Sequence, residues 1–61
     1  MKYTVSNVYG IAGESHHRTP EAALRAAHKR GGEGWIVTDD NGIRWDWPYW
    51  PIDNYTEAVR I

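Results

Sequence analysis

Sixty-one residues make a single domain over 1–61, and a chain this short buries only about 60% of the surface its unfolded form exposes. With no cysteine, disulfides and thiolate metal cages are excluded, and four Trp and four Tyr, with no Phe, must supply most of the buried area. The net charge of −1 conceals an asymmetry: residues 1–32 carry five cations against two carboxylates (+3) and residues 33–61 two against six (−4). That asymmetry predicts either pairing between the halves or two surfaces of opposite sign.

The chain starts Met1-Lys2-Tyr3-Thr4, without the apolar stretch of a signal peptide, and no apolar run approaches a membrane span. The expected location is therefore cytoplasmic, with no membrane partner. Tyr3, Val5, Tyr9 and Ile11 share one parity, which predicts a strand over about 2–12, bulged near Ser6-Asn7. Gly13 to Arg18 reads as a polar loop. Thr19 is a good N-cap, Pro20 suits the first helical position and Glu21 the positive end of the dipole. A helix over about 20–30 follows, with cations in its last turn and Gly31-Gly32 to stop it. Pro20, Ala23, Leu24 and Ala27 form its apolar stripe, shallow enough for close approach to a sheet of bulky side chains.

Beyond the helix, 34–38 and 43–47 flank Asp39-Asp40-Asn41-Gly42 as a hairpin. A two-residue Asn41-Gly42 turn would place Trp35 and Val37 on the face opposite Ile43, Trp45 and Trp47. A three-residue loop ending in a left-handed Gly42 places all five together, where one helix can cover them, and is preferred. Pro48 and Pro51 then interrupt regular structure. In the tail, Asn54 and Glu57 fit a capping box, whereas Tyr55, Glu57, Val59 and Ile61 alternate as an edge strand does; nine residues make a marginal helix, which favours the strand. The fold class is α+β: β-α-β-β, with one helix packed on a three- or four-stranded antiparallel sheet.

No constellation points to catalysis, and no cofactor is expected. His16-His17 and His28 lack the ordered convergent spacing zinc requires, and Ser15 beside His16 cannot face it as nucleophile and base must. Trp45 and Trp47 are expected in the core, while Tyr49 and Trp50 leave the sheet after Pro48 as candidate anchors. With Glu33, Asp39, Asp40, Asp46 and Asp53 they compose an acidic, aromatic candidate site for a protein partner. The alternative is a small nucleic-acid-binding module using the basic helix end, Arg18, Arg25, Lys29 and Arg30, with bases stacked on sheet aromatics. A pI near 6.2 places nucleic acid second.

The polar start Met1-Lys2-Tyr3-Thr4-Val5, the helix Thr19-Pro20-Glu21-Ala22-Ala23 and the hairpin Asp40-Asn41-Gly42-Ile43-Arg44-Trp45 together give a layout that resembles small phage-encoded inhibitors of the anti-CRISPR kind. The resemblance covers most of the chain as architecture and carries over no site residue. It implies a stoichiometric, non-enzymatic blocker of a host protein or ribonucleoprotein complex, here with an acidic face occupying a basic nucleic-acid-binding groove.

Overall fold

A computed structural model describes residues 2–48 and 57–61 of the chain. Among them, one helix packs on a five-stranded antiparallel sheet: β1 (Tyr3–Asn7), β2 (Ser15–His17), α1 (Pro20–Arg30), β3 (Trp35–Thr38), β4 (Arg44–Asp46) and β5 (Val59–Arg60), in the spatial order β2-β1-β3-β4-β5. The α+β class holds, but the element order is β-β-α-β-β-β, not β-α-β-β.

The difference arises on either side of Asn7. The period-2 pattern runs on to Ile11, but the strand ends at Asn7, whose side-chain Oδ1 accepts the Tyr9 N–H at 2.8 Å and whose carbonyl accepts the Gly10 N–H at 3.1 Å. An Asn that bonds the backbone two residues ahead closes a turn. The chain then reverses, and Ser15-His16-His17, expected as loop, pairs with β1 at Val5, Thr4 and Tyr3. This edge strand has no apolar alternation for a sequence reading to detect.

The helix follows its sequence signals. Thr19 Oγ1 accepts the Ala22 N–H at 3.2 Å, and Gly31 returns its N–H to the His28 carbonyl at 3.2 Å. Pro20, Ala23, Leu24 and Ala27 are its buried residues, and they meet Val5 and Val37 from the centre of the sheet. Tyr3, Trp35, Trp45 and Trp47 pack around this small nucleus, half-buried. Trp35, Trp45 and Leu24 therefore share one core.

That common face depends on the hairpin loop. Gly42 donates its N–H to the Asp39 carbonyl and Asp39 to the Ile43 carbonyl, both at 3.0 Å, so Asp40-Asn41-Gly42 form a three-residue loop. Gly42 has φ 76°, the left-handed conformation such a loop needs at its last position. The register pairs Val37 with Trp45 and Thr38 with Arg44. The tail supplies β5, in which Val59 and Arg60 pair with Asp46 and Trp45, the edge-strand outcome.

Facing side chains alternate across these registers. Val5, Val37, Trp45 and Arg60 lie on the helix side, whereas Thr4, Ser6, Ile36, Thr38, Arg44, Asp46 and Val59 lie on the other. No described element covers that second face. No helix among the described residues is long and apolar enough to cross a membrane.

Candidate functional site

Among the described residues, the predicted acidic set is spread over the molecule. Asp39 and Asp40 sit in the β3–β4 loop at one end of the sheet, and Glu33 sits before β3 at the opposite end. Asp46 projects from β4 on the face away from the helix. Tyr49, Trp50 and Asp53 lie outside the described residues.

Asp39 is turned inward and serves the fold. Its Oδ1 accepts the N–H groups of Asn41 and Ile43 at 2.9 and 3.0 Å, and its Oδ2 accepts the Trp45 indole N–H at 3.0 Å. The Trp45 bond holds its carboxyl below the usual carboxylate range; desolvation opposes this, and the two backbone donors and the nearby Arg60 charge add to it. Asp40 is exposed, and its Oδ2 accepts the backbone N–H of Lys2 at 3.0 Å. Asp46 Oδ1 accepts the Trp47 N–H at 2.7 Å. Glu33 has an exposed side chain, and its carbonyl accepts from Asn7 Nδ2 at 3.1 Å.

The basic set divides as well. Arg30 lies 4.8 Å over the Trp35 ring, donates from Nη2 to Ser15 Oγ at 2.8 Å, and donates from Nη1 to the Gly13 carbonyl. It fastens the β1–β2 loop to the helix end. Ser15 Oγ also meets His17 Nε2 at 2.9 Å, two residues along the same strand face, so the hydroxyl–imidazole contact skips His16. His16 instead bonds Thr4 Oγ1 at 3.0 Å and approaches Glu14 at 3.6 Å on the other face. Arg18, Arg25 and Lys29 are exposed and form no ion pair among the described residues. Internal pairing therefore does not absorb these three charges there. Tyr3, Trp35 and Trp45 face the helix, so these sheet aromatics are not open to stack bases on the other face.

One exposed group escaped the sequence reading. Val8, Tyr9 and Ile11, expected as strand residues, stand on the β1–β2 loop with 57%, 70% and 58% of their surface exposed. The loop backbone is held in place: Val8 donates to the Gly34 carbonyl at 2.8 Å, while the Asn7 side chain bonds Tyr9 on one side and Glu33 on the other. The Tyr9 ring lies across Gly34, where an added Cβ would fall 2.5 Å from Cδ2. Asn7 and Gly10, a turn pair interrupting the alternation, were the available signal. An aromatic residue with two aliphatic neighbours on this loop, with Glu33 exposed beside it, has the chemistry of an interface anchor.

Among the described residues no group of three or more His, Cys, Asp or Glu side chains could hold a metal ion. Comparisons with protein-family models, curated proteins and solved structures find no match for this chain.

Proposed function

We propose that this is a small, non-enzymatic, cytoplasmic interaction protein that docks on a basic partner through the β1–β2 loop, with Tyr9 as anchor and Val8 and Ile11 beside it. The observation that carries this reading is the exposure of three apolar side chains on a loop whose backbone is held by hydrogen bonds at Val8, Tyr9 and Gly10. A preformed loop loses little entropy on binding, and exposed apolar residues grouped in one place mark interaction sites. Glu33, exposed beside the loop, favours a partner with cations around an apolar pocket, as a nucleic-acid-binding groove offers. A stoichiometric inhibitor of a host complex, the form implied by the anti-CRISPR-type resemblance, is a binder of this kind.

The test compares wild-type and Tyr9→Ala chains, first as immobilised baits and then against the purified partner. The alanine variant should dissociate at least about tenfold faster, with a small change in association rate. Retention of the partner by Tyr9→Ala at wild-type strength would refute the loop as the site and return attention to Trp50.

The second reading, nucleic acid on the helix, is favoured by the exposure of Arg18, Arg25 and Lys29, which form no ion pair among the described residues. Three phosphate contacts would give log K against log salt a slope of about −3 on duplex DNA. We expect no such complex at low salt. A salt-sensitive shift lost in Arg25→Glu would establish this reading in place of the first.

A further inference from the structure

The sheet face opposite α1 carries two adjacent rows of side chains. Thr4, Thr38, Arg44 and Ile61 lie side by side across β1, β3, β4 and the end of β5, the last placed by the Ile61 N–H on the Arg44 carbonyl at 3.0 Å. One step along the strands, about 7 Å away, Ser6, Ile36, Asp46 and Val59 repeat the arrangement. The rows are complementary to each other. A two-fold axis lying in the plane of the face, between the rows and across the strands, turns each row onto the other. Arg44 then meets Asp46 of the other copy, Ile61 meets Val59, and Thr38 meets Ile36, each contact occurring twice.

We propose that this face binds a second copy of the chain, forming a two-fold, sheet-on-sheet dimer with the helices outside. Sheets pack about 10 Å apart with strands within roughly 30° of alignment, so the matches near the middle of the face, at β3 and β4, are preserved by the twist. The molecule measures 29 × 25 × 18 Å. Those extents cap the contact at roughly 700 Å² per copy, below the ~800 Å² each side contributes to a standard interface, which suits a weak dimer. Arg44 and Asp46 cancel in charge on one copy, which suits a self-complementary partner better than a uniformly charged one. A contact of this size places the dissociation constant in the micromolar range or weaker. Val8, opposite Gly34 one step beyond Ser6 and Ile36, borders this face, and the charge-reversal test at Arg44 and Asp46 leaves the loop residues unchanged.

Sedimentation or light scattering on the full chain, from about 10 μM to about 1 mM, tests the proposal. The mass should rise from 7.0 kDa towards twice that value. Arg44→Asp sets carboxylate against carboxylate and should weaken association at least about tenfold, and Asp46→Arg should do the same with two cations. The double variant Arg44→Asp/Asp46→Arg restores opposite charges across the axis and should recover the dimer. This rescue separates the interface from folding, because the double variant also lacks the Asp46–Trp47 bond. A wild-type monomer at about 1 mM, single reversals that dimerise normally, or a double variant that stays monomeric would each overturn the proposal.

Discussion

Three donors converge on the Asp39 carboxylate: the Trp45 indole and the backbone N–H groups of Asn41 and Ile43. All three favour the charged form, so the folded pKa lies below the unfolded value of about 3.9. A group with a depressed folded pKa contributes stability above its unfolded pKa and loses it as pH falls through the folded one. The melting temperature should therefore decline below about pH 4, and Asp39→Asn should lower it at pH 7 while flattening that acid decline. A pH-independent difference between the two proteins would show that the carboxylate charge is not what the turn uses. Gly34 is the comparable residue at the other end. Its φ is 91°, and a Cβ there would strike the Tyr9 ring, so Gly34→Ala should cost about 1–3 kcal/mol in denaturant unfolding. It should also shift the Tyr9 ring resonances; unchanged resonances would mean that the loop does not rest on Gly34.

At the scale of elements, the helix contributes one large aliphatic side chain to the core. Leu24 is buried against Val5 and Val37 between small alanines, so Leu24→Ala should cost about 2–5 kcal/mol. Domains of this size rarely hold more than about 3–5 kcal/mol from their core, so that variant should be substantially unfolded without denaturant. Thr19→Ala removes only the cap and should cost about 1 kcal/mol, a shift in unfolding midpoint with the slope unchanged. These two elements, helix and hairpin, were legible because their signals are local: a cap, a proline, a glycine stop, and a loop whose length decides which side the tryptophans face. The β1–β2 turn was misread because Tyr9 and Ile11 keep the strand parity after the backbone has left the strand. β2 was invisible because its place rests on backbone pairing at an edge, where Ser, His and His carry no burial pattern.

Strand length also explains why the acidic set was legible as composition but not as a surface. Glu33 and Asp40 are seven residues apart with β3 between them, so about 20 Å separates them in the extended chain. At physiological ionic strength the screening length is about 8 Å, and a charge that far from a docking partner acts at about a tenth of its unscreened strength. Two reversals then separate a loop-centred site from an acidic face spanning the molecule. Glu33→Lys, beside the Tyr9 loop, should slow association with a basic partner by about threefold at 0.15 M salt. Asp40→Lys should leave that rate unchanged there and slow it only near 0.01 M, where the screening length reaches about 30 Å and half the interaction survives. Both variants place the new charge on an exposed side chain; Asp40→Lys also removes the bond from the Lys2 N–H, at a cost of about 1 kcal/mol that an unfolding midpoint reads separately from the association rate. If Asp40→Lys slows association at 0.15 M as much as Glu33→Lys, the partner reaches both ends of β3. The loop alone would then be too small a footprint to account for binding.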